Sequence, residues 1–241
     1  PEQGGDRAYG SHRITADLND GAPAAQRINR KRVARVMREH ELAGIRLRRR
    51  VKTTIPDQSG RRFPDLIGRD FTADEPNQRY VGDITYVRTW QGWLYVALVI
   101  DCCSRAIVGW AMDDNYKTPL ITDAIRMAAR NITLPERAIF HSDRGSNYTS
   151  DEYATELSKM GIRQSVGRTG ICYDNALSES TNGALKVELV NREQFPTREI
   201  AQRKIANYIE LFYNRRRLHS GLGYNTPQEI LDLHNNPQEA A

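Results

Sequence analysis

The sequence predicts an α/β fold, a mixed five-stranded sheet flanked by helices and preceded by a small basic helical unit. Three observations point there. Residues 79–112 read as three strands in immediate succession, after which helical and strand patterns alternate up to residue 166. Charge is concentrated at the front: residues 1–62 hold 15 Lys/Arg against 7 Asp/Glu, net +8, and the rest holds 20 against 23, net −3, for a total of +5. Finally, 241 residues with a 39% hydrophobic fraction suit a core domain of about 150 residues plus an appendage.

The basic unit is expected over residues 1–50. Its main helix lies in INRKRVARVMREHEL, where Asn29 caps, Ile28 staples onto Val33 and Gly44 supplies the stop. Val33, Val36 and Met37 form an apolar stripe, and Arg30, Lys31, Arg32, Arg35 and Arg38 occupy the other faces. With SHRITADLND ahead of it, this has helix-turn-helix character. Phosphate contact is the expectation from the charge, and base reading is not inferred. Arg46, Arg48, Arg49 and Arg50, an extended basic run that suits either a DNA groove or solvent, then lead into a linker, residues 51–76, marked by Pro, Gly and Ser.

The core is expected over residues 77–195. Strands RYVGDITYVRT, WLYVALVID and SRAIVGWAM form a meander, turned first at Gln91-Gly92, with Asp83 on a central strand and on the face of Val81, Thr85 and Val87. A helix at 118–130 presents Leu120, Ile121, Ala124, Ile125 and Ala128. RAIFHSD is a fourth strand, parallel to the first so that Asp143 approaches Asp83. A helix ended by Gly161 and the short strand IRQSV follow, and the loop GRTGICYDN, with Arg168, leads to a helix bearing Glu179. From 196 to 241, Thr197 caps a helix with Ile200, Ile205, Tyr208, Ile209 and Phe212 on one side. The closing tail carries Arg215, Arg216 and Arg217 as a basic cluster and a capping box at Thr226, Pro227 and Glu229.

Asp83, Asp143 and Glu179 carry the chemistry. A carboxylate inside an otherwise buried strand pattern needs a reason, and metal ligation is one. Hard divalent cations take oxygen ligands, and a two-ion site about 4 Å across clamps an in-line phosphoryl displacement. Lys186 is two turns beyond Glu179 on the same helix face, where a cation can hold a substrate phosphate. A lone Glu and Lys on a helix are more often simply solvated.

What sets these residues apart is their surroundings. There are 35 residues between Asp143 and Glu179, and the flanking words are YVGDITYV, HSDRGSNYTS, CYDNALSES and NGALKVEL. Together they resemble the catalytic core of bacterial insertion-sequence transposases, most closely the IS-three family, relatives of retroviral integrases. The likeness runs over about 78–227, with a weaker one over the first 50 residues. It implies a ribonuclease-H-like core with an Asp-Asp-Glu site at Asp83, Asp143 and Glu179 holding two Mg²⁺, with Mn²⁺ able to substitute. It also implies cleavage at transposon ends followed by strand transfer of the freed 3′-hydroxyl. The partners would be double-stranded DNA, both terminal repeats and target, and further copies of the chain when DNA-bound. Asn175, one turn before Glu179, would face the scissile phosphate, with Arg168, Arg215 and Arg216 as further contacts. The sequence departs from many relatives in having Thr181 and Asn182 where they carry an aromatic pair.

Other residues have plainer explanations. Asp101, Asp113 and Asp114 end strands, where turn chemistry accounts for them. His141 shares the Asp143 strand face as an orienting group or as a satisfied strand-end histidine, Asn147 and Tyr148 flank the site loop, and Gly145 serves backbone geometry. Trp90, Trp93 and Trp110 suit core or strand-edge packing. The cysteines, Cys102, Cys103 and Cys172, form no metal-site or disulfide spacing, which fits a reducing bacterial cytoplasm, with nucleoid association when DNA-bound. No apolar run reaches membrane-spanning length. The start at Pro1, with neither a Met nor a hydrophobic signal region, reads as a fragment or a processed form. Two rivals remain: a nuclease of the same fold, for which the 118–130 helix offers only Asp123, and a non-catalytic DNA-binding or end-pairing module, against which the three intact acids speak.

Overall fold

The structure, a computed structural model, describes residues 8–45, 63–132, 135–167 and 175–235. Its elements are α1 (Ser11–Asn19), α2 (Arg30–Glu39), β1 (Arg79–Thr89), β2 (Gly92–Asp101), β3 (Ile107–Asp113), α3 (Thr118–Asn131), β4 (Ile139–Ser142), α4 (Asp151–Lys159), β5 (Arg163–Val166), α5 (Ala176–Glu188), α6 (Arg198–Asn207) and α7 (Pro227–Asn235). A π-helical turn, Tyr208–Tyr213, continues α6.

One five-stranded sheet has the order β3-β2-β1-β4-β5, with β1 at its centre. The meander pairs antiparallel, and the crossover through α3 brings β4 back parallel to β1. The β1–β2 turn is Trp90–Gln91, one residue earlier than the sequence predicted. Thr89 pairs with Gly92, and the glycine is needed there because it opens β2 at φ +110°.

Both faces of the sheet are covered, which is why β2 reads as a continuous apolar run. Val81 and Val87 of β1 bury with Leu94, Val96 and Leu98 of β2 against Leu185 of α5 and Ile205 of α6. Tyr80, Ala97 and Val99 bury on the other side against Ile121 and Ile125 of α3 and Tyr153 and Leu157 of α4. Gly109 lets β3 and α3 touch backbone to backbone, since a Cβ there would lie 2.3 Å from the Ala124 carbonyl oxygen.

In the basic unit, the Asn29 side chain accepts the Lys31 N–H as an N-cap, as predicted. The stop is not Gly44. The helix ends at Glu39, the Leu42 N–H closes on the Met37 carbonyl, and Glu41 takes φ +54°. Gly44 instead permits a close backbone approach, because a Cβ on it would stand 2.6 Å from Gly10 Cα. The apolar stripe is narrower than expected: Val33 and Met37 are buried, while Val36 is 40% exposed. The unit docks through Tyr9, which joins the apolar cluster of Val81 and Leu185 and whose hydroxyl accepts the Leu218 N–H at 3.2 Å. In the tail, Thr226 and Glu229 form the expected reciprocal capping box.

Candidate active site

The last paired residues of the parallel β1–β4 ladder are Gly82 and Ser142, so the next residues along the two strands are Asp83 and Asp143. Adjacent strands run about 4.8 Å apart, and the carboxyl ends of parallel strands are where α/β sheets keep their ligand crevices. Asp83 Oδ1 accepts from the Ile84 N–H and Oδ2 from the Asn182 amide, each at 2.8 Å. Asp143 Oδ1 accepts from the Gly145 N–H at 3.0 Å. Gly145 thus does more than shape the turn, since a Cβ there would press on this oxygen at 3.1 Å. Burial raises the Asp143 carboxyl above its ordinary value, only partly opposed by Gly145 and by the charge of His141. Tyr148 is wholly buried beside both acids, and desolvation together with the Asp83 and Asp143 carboxylates holds its phenol protonated.

Helix α5 crosses this strand end. Residues 175, 179, 182 and 186 recur at helical spacing and share one face. Asn182 donates to Asp83, and Asn175 donates to the Gly82 carbonyl at 3.3 Å. Glu179 is exposed on α5 between these two fastenings. Lys186 Nζ stands 4.4 Å from the ring centre of Tyr86 on β1.

Among the described residues no three His, Cys, Asp or Glu side chains lie close enough together to hold an ion. The structure brings Asp83, midway along β1, beside Asp143, just past the end of β4, and leaves Glu179 outside a common ligand shell. Mg²⁺ is commonly held by one or two carboxylates together with substrate phosphates and waters, so the pair fits it. The acceptors Asn175 Oδ1 and Asn182 Oδ1 are buried on the same seam with no donor among the described residues. A hydrated cation would supply such donors.

Several predicted residues play other roles. Asn175 is buried, and its amide donates to the Gly82 carbonyl, fastening α5 to β1. Arg217 leaves the expected tail cluster: it is buried and pairs through Nε and Nη2 with Glu188, while Arg215 and Arg216 are exposed. Arg30, Lys31, Arg32 and Arg35 are exposed on α2, and Arg35 lies 3.6 Å from Glu39. Arg48, Arg49, Arg50 and Arg168 lie outside the described residues, as do Asp174 and Cys172. His141 is a satisfied core histidine, its Nδ1 2.8 Å from Ser165 Oγ. Asp101 accepts the N–H groups of Asn77 and Ser104, which is turn chemistry. Trp90 is no packing residue, being 73% exposed at the hairpin tip, whereas Trp110 donates to Glu210 at 2.7 Å. Sequence reasoning missed Asn182 and Glu188 as structural partners. The three-residue step from Glu179 to Asn182 was the available signal for the first.

Comparison with known proteins fits this architecture. An integrase core domain profile matches residues 73–172, a second profile of the same description matches 160–227, and an HTH-like domain matches 3–50. The transposase InsF of insertion sequence IS3A from Escherichia coli (strain K12) is 40% identical over 226 residues, 92% of this chain and 76% of that protein. This chain belongs to the insertion-sequence transposases. The transposase of element IS904 from Lactococcus lactis subsp. lactis (strain IL1403) is 38% identical over 222 residues, covering 92% of this transposase and 87% of that one. In a simian T-cell lymphotropic virus intasome, determined with PP2A regulatory subunit B56 gamma, a chain shares the fold at TM-score 0.55 and 17% identity. The match covers 76% of the transposase and 62% of the viral chain. Polynucleotidyl transfer on DNA is the activity of this family, and the helix-turn-helix-like front agrees with DNA binding. Among the described residues no helix of the transposase is long and apolar enough to cross a membrane.

Proposed function

We propose that this DNA transposase cleaves transposon ends and joins the freed 3′-hydroxyl to target DNA, with Asp83, Asp143 and Glu179 as its acidic residues. The observation that carries the reading is that Asp83 and Asp143 stand side by side just past the last paired residues of the parallel β1–β4 ladder, with the Glu179 helix fastened to Asp83 through Asn182. Asp83 and Asp143 would hold Mg²⁺, and Glu179 is the third oxygen donor of the proposal. Bound Mg²⁺ would lower the pKa of the attacking water or hydroxyl and neutralise charge on the phosphodiester.

The chain's own groups have distinct parts. The Asn182 amide holds Asp83 Oδ2, which fixes the carboxylate's rotamer, and the Gly145 N–H does the same for Asp143. Lys186, at the Tyr86 ring, and the exposed arginines of α2 are the proposed phosphate contacts, acting as point charges and forks on the backbone of terminal repeat and target DNA. Action on nucleoid DNA as a multimer that pairs two ends belongs to the same proposal.

The test is strand transfer with labelled oligonucleotides carrying the element's terminal repeats, in Mg²⁺ or Mn²⁺. Joined product that disappears in Asp143→Asn and Glu179→Gln, with DNA binding kept, is the expected result. Undiminished joining by either variant would overturn the assignment.

A further inference from the structure

A pocket of about 230 Å³ opens where α1, α5 and the closing tail meet, and neither Asp83 nor Asp143 lines it. Three guanidiniums line it, from Arg13, Arg105 and Arg217, together with the hydroxyl residues Ser180, Thr181 and Ser220. Glu188 answers two of the three: it takes Arg217 at 2.9 Å and stands 3.5 Å from Arg13. Among the described residues no carboxylate lies within ion-pair distance of Arg105, so the pocket sets three positive charges against one negative. His219 lies on its wall within reach of Arg217 Nη1, at 3.1 Å, and burial first, then the charges of Arg217, Arg13 and Arg105, oppose its protonation. It therefore faces the arginines as a neutral acceptor.

We propose that this pocket is an anion site that takes one phosphate group, supplied by a DNA strand running over α5. The guanidinium fork matches phosphate oxygens two at a time, and an unpaired one inside a partly enclosed cavity is a strong attractor for them. Clefts for drug-sized ligands begin at about 300 Å³, so this smaller pocket suits a single phosphate and not a nucleotide. Ser180 follows Glu179 directly on α5, so a phosphate held here lies on the helix that carries the third proposed acid. Only the DNA source rests on the transposase reading; the anion site itself is independent of the three acids.

Two measurements on the full chain test it. Calorimetric titration with inorganic phosphate should show binding to the wild type that Arg105→Gln weakens at least tenfold and Arg105→Lys largely keeps. Binding of a terminal-repeat duplex over a salt series should show Arg105→Gln lowering the steepness of log K against log salt by about 0.9, one phosphate's share. A changed slope upholds the DNA source, with or without measurable heat from the free ion. Phosphate binding lost in Arg105→Gln with an unchanged slope upholds the anion site with free phosphate as its occupant. No phosphate binding by the wild type and identical slopes overturn the proposal. The Asp143→Asn variant should bind phosphate like the wild type, which keeps this result separate from the fate of the acid assignment.

Discussion

Replacing Glu188 with Gln is the most informative change to the framework of the site. Glu188 ends α5 at 4% exposure and accepts from Arg217 Nε and Nη2, each at 2.9 Å, and from the Tyr208 hydroxyl at 2.8 Å. Burial opposes charge on Arg217, and Glu188 more than restores it, so the guanidinium stays charged. Glutamine keeps the volume and opens no cavity, but it removes the only negative charge facing Arg217 and Arg13 among the described residues. Breaking one side of a buried pair costs about 3–5 kcal/mol, because the remaining ion is left desolvated. For a chain of this size 1 kcal/mol moves the melting point by about 2–4 °C, so the expected fall is roughly 6–20 °C. Thermal unfolding by circular dichroism measures it. Glu188→Leu with Arg217→Met and Tyr208→Phe, which removes the buried hydrogen-bond partners together and leaves only the more exposed Arg13 without its counter-charge, should recover much of the loss. A Glu188→Gln melting point within about 2 °C of wild type would refute the reasoning, since it would mean that Arg217 is solvated.

Three further outcomes follow from the geometry. Asn182→Ala frees Asp83 Oδ2, and strand transfer should fall about 10–100-fold, as for loss of a group that orients a ligand, with little change in melting point; full activity would mean Asp83 needs no such support. Gly109→Ala drives a Cβ onto the Ala124 carbonyl and should cost about 1–3 kcal/mol in urea unfolding; an unchanged midpoint would show that β3 and α3 separate freely. His219 is lowered from its ordinary 6.5 to about 2 by burial and by Arg217, Arg13 and Arg105. The unfolded chain therefore takes up a proton that the fold refuses. Stability is whole above pH 6.5 and is lost as pH falls below it, by at most about 1.4 kcal/mol per unit. His219→Gln should flatten that acid limb in melting curves taken from pH 7 to pH 4, and an identical limb would count against a buried neutral imidazole.

The sheet was legible because its signals are local and redundant. Strands buried on both faces read as apolar runs, the parallel return of β4 followed from an intervening helix, and the caps at Asn29, Thr197 and Thr226 each act within three residues. What stayed hidden depends on distant partners. Arg215, Arg216 and Arg217 are one residue type in a row, and only Glu188, 29 residues earlier in the chain, decides that the third is buried. Gly44 reads as a helix stop, but its actual constraint is the backbone of Gly10. Asn182 stood out only as a departure from the family pattern, because its partner Asp83 is 99 residues away. The neighbouring placement of Asp83 and Asp143 was legible from the parallel return of β4, whereas the exposure of Glu179, on the same helix face as the buried Asn175 and Asn182, is reported by no spacing.

Helix α5 is held at its two ends by different chemistry. Amides tie its first turns to β1, where the bond to the Gly82 carbonyl is worth about 1 kcal/mol and the bond to the Asp83 carboxylate about 1.5–3 kcal/mol. A buried ion pair locks its last residue to the tail, and breaking one side of that pair costs about 3–5 kcal/mol. The same junction reaches the basic unit, because Arg13 of α1 faces Glu188 and Tyr9 takes the Leu218 N–H beside Arg217. The two ends are therefore held differently, by a buried charge pair remote from Asp83 and Asp143 and by amide hydrogen bonds beside them. On the proposed assignment of Glu179, the amide-held stretch is the one that would adjust when substrate and ion arrive.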